Sequence, residues 1–100
     1  MNTIIGTVYK VLPLEMGRSE HGDWQRRTVI IATIAEYSGA QRLMAMQFTG
    51  DRVMMCEGFR YGQTLQITFV PESRTFNGEK WYTNLRVVRC DILQPQNTRQ

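Results

Sequence analysis

Two stretches of this sequence bring cations and flat side chains together. Trp24 stands beside Arg26 and Arg27, and Arg74, Phe76, Lys80, Trp81, Tyr82 and Arg86 interleave bases with aromatics. Guanidinium and ammonium groups meet phosphates, while aromatic faces stack on unpaired bases, each stacked base contributing roughly 1–3 kcal/mol. That combination is the chemistry of single-stranded nucleic-acid recognition. The same residue types also dominate the hot spots of protein interfaces, so a protein-protein interaction module is the alternative that composition leaves open. Geometry separates the two. Nucleic acid requires Arg26, Arg74, Lys80 and Arg86 to converge on one groove, whereas cations scattered around an apolar patch favour a protein partner.

Catalysis finds less to stand on. His21 is the one histidine; it lies between Glu20 and Gly22 in a turn-rich segment and reads as a solvated loop residue. The carboxylates are scattered, and no HExxH, DxD, GxSxG or P-loop pattern occurs. No catalytic residue is assigned, and the expectation is a protein that is not an enzyme. Cys56 and Cys90 are far apart and form no CxxC pair, so neither a metal site nor a disulfide is expected, and no cofactor. Both thiols read as small buried side chains.

A formal net charge of +3 is compatible with a polyanionic partner and equally with ordinary solubility. No apolar run approaches the ~20 residues of a membrane span, and Met1 to Thr7 lacks the blocks of a signal peptide. The expected location is cytoplasmic, with no membrane contact.

The elements that must position these residues are strands. Thr3 to Leu14 alternates apolar and polar residues and is rich in β-branched side chains, predicting a first strand. The segment from Glu15 to Asp23, with Gly17 and Gly22, predicts a loop. A second strand runs from Trp24 to about Ala35, with Val29, Ile31 and Thr33 inward and Trp24, Arg26, Thr28 and Ile30 outward. Arg26 and Arg27 are separated by parity alone, which a bulge would reverse.

After a turn at Ser38-Gly39, Arg42 to Thr49 predicts a third strand. Met44, Met46 and Phe48 share its inner face; Ala45, Gln47 and Thr49 share the outer one, which makes Gln47 and Thr49 candidate contacts. Asp51 to Glu57 lacks strand alternation, has Thr49 and Asp51 as possible N-caps and is followed by Gly58 and Gly62, predicting a short helix. Thr64 to Val70 predicts a fourth strand with Leu65, Ile67 and Phe69 inward. A loop from Glu72 to Lys80, with the turn signal Asn77-Gly78, leads to a fifth strand from Trp81 to Asp91. Trp81 and Tyr82 face opposite ways, so one at most lines a groove; Tyr82 is favoured because Arg86 shares its parity.

With 100 residues, 42% of them hydrophobic, the chain can build one core. The expected organisation is one domain over residues 1–93 and a flexible polar tail over 94–100. Three strands, a helix and two strands is the order of an all-β, five-stranded Greek-key barrel of the OB type, with its helix between strands three and four. The outer stripe Ile30, Ala32 and Ile34 would suit a homodimer or homotetramer contact.

From Gln41 to Val88 the sequence resembles the second half of bacterial single-stranded-DNA-binding proteins. The similarity lies in Phe48-Thr49-Gly50 at a strand end, Tyr61-Gly62 closing the helix, and an Arg-containing hairpin leading to Tyr82-Thr83. From Ile4 to about Cys90 it is similar to a family of short bacterial proteins classed as a domain of unknown function within the OB group. The marks are Val11-Leu-Pro-Leu14, the Gly17 to Trp24 segment, Phe48-Thr-Gly-Asp51, and Glu72 to Thr83. The resemblance implies an OB fold and, by wider analogy, single-stranded DNA (or RNA) binding and self-association. Two departures matter. Strand three opens Gln41-Arg42-Leu43-Met44, without the tryptophan that single-stranded-DNA-binding proteins often carry there, and the long linker with an acidic tail is not expected here.

The residues expected to contact nucleic acid are therefore Trp24, Arg26, Gln47, Thr49, Arg74, Phe76, Lys80, Tyr82 and Arg86.

Overall fold

In the computed structural model, residues 1–34, 39–75 and 77–93 are described. Phe76 and the tail expected over 94–100 lie outside them. The strands are β1 (Asn2–Val11), β2 (Glu15–Ser19), β3 (Gly22–Ile34), β4 (Gln41–Thr49), β5 (Thr64–Thr75) and β6 (Trp81–Leu93), with a 3-10 helix over Gly50–Gly58 between β4 and β5.

One sheet holds all six, in the order β1-β5-β6-β4-β3-β2, and β1 also pairs with β3. The sheet thus closes into a ring, β1-β3-β4-β6-β5-β1. The ring has five members, the Greek-key arrangement of an OB fold, and β2 adds to it only by pairing with the start of β3. Closure depends on β1 serving two neighbours. Asn2 to Thr7 pairs with β5, Thr7 to Val11 pairs with β3, and a register shift between Val8 and Lys10 turns the strand from one to the other. Gly6 sits at that crossing because there is no room for a side chain: a Cβ would lie 2.5 Å from Ile31 Cγ2 and 2.8 Å from the Ala32 carbonyl oxygen.

Strand alternation fills the interior as expected. Val8, Val29, Ile31, Met46, Phe48, Leu65, Ile67 and Val87 are all but inaccessible, and the 3-10 helix closes one end with Val53 and Cys56. Phe59, just past the helix, packs edge-on against Phe48 with ring centroids 5.6 Å apart. Burying these side chains supplies the main driving force, roughly 1.5–3 kcal/mol for each large aliphatic or aromatic group. The helix is wound as 3-10 rather than α, and neither Thr49 nor Asp51 caps it by a side chain: Thr49 occupies the N-cap position without a side-chain hydrogen bond.

Two expected loops are in fact strands. Glu15 to Ser19 forms β2, paired with the start of β3 from Glu15–Arg26 to Ser19–Gly22. Glu72 to Thr75 continues β5, paired with β6 as far as Thr75–Trp81. In both places Gly, Ser and charged residues outweighed alternation in the sequence, but a neighbouring strand was available to satisfy the backbone. The second extension is a two-stranded ribbon. β1 leaves β5 at Phe69, and β4 meets β6 only at Leu85 and Arg86, so Pro71 to Thr75 and Trp81 to Asn84 have just each other.

The apolar outer stripe is also altered. Ala32 is 8% exposed, covered between the neighbours Thr7 and Leu43, and the Ile34 side chain is not among those described; Ile5 and Leu43 carry the exposed apolar surface there instead. Among the described residues no helix is long and apolar enough to cross a membrane.

Candidate nucleic-acid interface

The outer face of β3, β4, β6 and the β5 ribbon is continuous. Register places Arg26 opposite Thr49, Thr28 opposite Gln47, Gln47 beside Arg86, Val70 opposite Arg86 and Arg74 opposite Tyr82. One sheet surface therefore carries six of the expected contacts: Arg26, Gln47, Thr49, Arg74, Tyr82 and Arg86.

At the mouth of β3 this face opens into a groove of about 720 Å³, lined by Asp23, Trp24, Gln25, Arg26, Thr49, Gly50, Asp51 and Arg74. Trp24, Arg26, Thr49 and Arg74 were expected; the other four were not. Gln25 was hidden by its odd parity, which in the barrel would turn it inward. At the rim there is no core to meet, and its Nε2 instead donates to the Gly50 carbonyl at 3.0 Å, tying β3 to the start of the helix.

The tryptophan is held by its surroundings. Trp24 pairs with Gly17, and a Cβ on Gly17 would collide with the Trp24 ring, so the ring packs directly against the glycine. Arg26 places its guanidinium carbon 5.6 Å from the centre of the same ring, while its Nε donates to Glu15 Oε1 at 2.8 Å. A cation over a ring face stabilises an exposed pair by about 0.5–1 kcal/mol and, more usefully here, fixes its orientation.

Parity holds for the adjacent arginines. No register shift interrupts β3 against β4, so Arg26 faces outward, and Arg27 turns the other way to donate from Nε to the Leu12 carbonyl at 2.9 Å. Arg27 is a structural cation.

Carboxylates temper the face. Besides Glu15 on Arg26, Glu72 Oε2 lies 3.0 Å from Arg86 Nη2, and Asp23 and Asp51 line the groove. Among the described residues Arg74 and Lys80 have no carboxylate partner. Lys80 stands apart from the groove, at the far end of the ribbon. Glu15 and Glu72 lie in stretches whose composition predicts loops, where cross-strand pairing cannot be read from sequence.

Trp81 and Tyr82 face opposite ways, as parity requires, yet neither is packed inside. Trp81 is 64% exposed and Tyr82 49%, since the ribbon has no core on either side. Tyr82 lies on the groove's face, opposite Arg74, and Trp81 lies on the reverse.

His21 and the two cysteines do not line the groove. His21 sits at the β2–β3 turn, exposed, with Nε2 3.8 Å from Glu20. Cys56 and Cys90 are free and buried; burial pushes both thiols up to about 11, opposed at Cys56 by the Arg27 charge and assisted at Cys90 by Asp91. No group of three or more potential metal ligands gathers among the described residues.

Solved structures share this architecture. The single-stranded DNA binding protein of Thermus aquaticus superposes with a TM-score of 0.63 at 16% identity, over 94% of this chain and 50% of that one, so this chain spans half its length. The small single-stranded DNA-binding protein of Streptomyces coelicolor superposes with a TM-score of 0.54 at 10% identity, over 97% of this chain and 95% of that one. At such identities the likeness establishes the fold. Among curated proteins nothing matches. A family model does, across residues 3–91, and by that match the chain belongs to the family described as a domain of unknown function (DUF3127).

Proposed function

We propose that this chain binds single-stranded nucleic acid, DNA before RNA, without catalysis, on the outer face of β3, β4, β6 and the ribbon. The observation that carries the reading is the groove where Trp24, Arg26, Thr49 and Arg74 meet, continuous with Gln47, Arg86 and Tyr82. Trp24, 43% exposed, offers a ring for a base, its position preset by contact with Gly17 and by the Arg26 guanidinium. Tyr82 offers a second ring. Arg74 and Lys80 meet phosphates directly, while Arg26 and Arg86 must exchange a carboxylate for a phosphate. Fold likeness to single-stranded DNA-binding proteins supports the reading without establishing it, since OB folds host several kinds of ligand.

Fluorescence anisotropy with a labelled oligo(dT) of about 30 nucleotides, compared with its duplex at several salt concentrations, tests this. Single-strand binding that weakens with salt and falls when Trp24 and Arg74 are changed to Ala is the expected result. No single-strand binding at low salt overturns it.

A further inference from the structure

Away from the groove the structure holds a second aromatic pair flanked by cations. Tyr9 and Tyr61 have ring centroids 6.4 Å apart, tilted by 52°. Tyr61 is 81% exposed and Tyr9 43%, more than any packing role requires. Lys10 follows one and Arg60 precedes the other in sequence; both are exposed, and neither has a carboxylate partner among the described residues.

The turn carrying Tyr61 is fixed to the barrel. Gly62 N–H donates to the Val8 carbonyl and Val8 N–H to the Gln63 carbonyl, each at 2.8 Å, and Gln63 N–H donates to the Arg60 carbonyl at 3.0 Å. The Arg60 amide in turn donates to Gln63 Oε1 at 3.2 Å. Gly62 takes φ 84°, which a side chain would oppose, so the glycine permits the turn that holds the tyrosine out. An exposed ring on an immobilised turn loses little entropy on stacking, and that preorganisation favours binding.

Charge and shape together select the occupant. Two cations without counter-charges call for an anion, and two ring faces call for flat groups in succession, as a single strand presents. Glu57 is the nearest carboxylate in sequence to Arg60, and its side chain makes no ion pair among the described residues.

We propose that Tyr9, Lys10, Arg60 and Tyr61 form a second contact for single-stranded nucleic acid, engaged by the part of a strand that runs beyond the groove. The groove includes Gly50 and Asp51 at the start of the 3-10 helix, and Tyr61 lies just past its end. At ~2.0 Å rise per residue that helix spans on the order of 18 Å, so a strand of a few nucleotides seated in the groove leaves the second contact empty and only a longer one engages both. This inference rests on the proposed function and extends it to ligand length.

The test compares labelled oligo(dT) of about 4 and about 30 nucleotides, spanning the site sizes of OB folds. The wild-type chain, Tyr9→Ala/Tyr61→Ala and Lys10→Ala/Arg60→Ala are titrated with both. The tyrosine variant should bind the long strand about tenfold more weakly and the short one unchanged. The cation variant should flatten the salt slope of the long strand by about 1.4, at ~0.7 for each phosphate no longer neutralised. Tyr61→Phe should retain long-strand affinity, because a phenyl ring still stacks. Equal losses on both lengths, or no loss on either, overturn the second contact while leaving the groove intact. If the wild-type chain binds neither length, the proposed function itself fails and this contact with it.

Discussion

Arg86 Nη2 lies 3.0 Å from Glu72 Oε2 across the β5–β6 pair, and the Nε–H of the same guanidinium is buried with no acceptor among the described residues. The guanidinium thus commits one terminal nitrogen to Glu72 on the face proposed to bind nucleic acid. In the proposed function, Glu72 stands where a phosphate would pair with Arg86. Glu72→Gln should therefore tighten oligo(dT) binding and steepen its salt slope by about 0.7, the increment for one more phosphate contact on a single strand. Anisotropy across a salt series measures both. The same change at Glu57, away from the groove, should leave the slope unaltered.

Gly6 and Gly17 both lie against neighbours, with opposite consequences. At Gly6 an added methyl meets the Ala32 backbone and buried Ile31, which cannot move aside. Gly6→Ala should lower stability by about 1–3 kcal/mol, read as a fall in the urea midpoint. At Gly17 the methyl meets the Trp24 ring, 43% exposed and able to swing outward. Gly17→Ala should leave the midpoint nearly unchanged, shift the tryptophan emission and weaken oligo(dT) binding.

Arg26 and Arg27 should separate in the same way. Arg26→Ala removes the cation beside Trp24 and should lower single-strand affinity about five- to tenfold, with little loss of stability. Arg27→Ala removes the part-buried hydrogen bond to Leu12 and should cost about 1–2 kcal/mol of stability, with affinity per folded molecule retained. Paired denaturation and anisotropy curves check both arms.

The thiols set a limit at high pH. Burial raises Cys56 and Cys90 from 9.0 to about 11, so the folded state keeps their protons where the unfolded chain releases them. Their contribution is fully present below pH 9 and is lost as pH rises from about 9 to 11, because the unfolded state then binds fewer protons. The urea midpoint should fall over that window. Cys56→Ala/Cys90→Ala should flatten the fall, and thiol reagents at neutral pH should label the native chain only as fast as it opens.

Much of the fold was legible because alternation with period two needs only local sequence. Val29 and Ile31 on β3, Met46 and Phe48 on β4, and Leu65 and Ile67 on β5 were marked as core by parity and are all fully buried. The helix position followed from the break in alternation after Thr49. Its 3-10 winding did not, since α and 3-10 turns differ by one residue in hydrogen-bond span and share most of their sequence preferences.

The site was less legible. Residue type marks Trp24 and Arg74, and strand parity marks Arg26 and Thr49, yet nothing local says that residues of β3, β4 and β5 share one groove. The carboxylates show the limit most sharply. Glu15 and Glu72 lie in stretches whose composition says loop, and only strand pairing sets them against Arg26 and Arg86.

By itself, then, the sequence determined the faces of the core strands, the order of the five ring strands and the helix, and the kinds of side chain available for contact, all of which depend on near neighbours along the chain. The tertiary structure alone decided which cations keep a counter-charge, that Trp81 and Tyr82 are both exposed on a ribbon, and that Tyr9 meets Tyr61. Those outcomes depend on register and closure, which bring together residues tens of positions apart and are settled only when the whole ring shuts around its core.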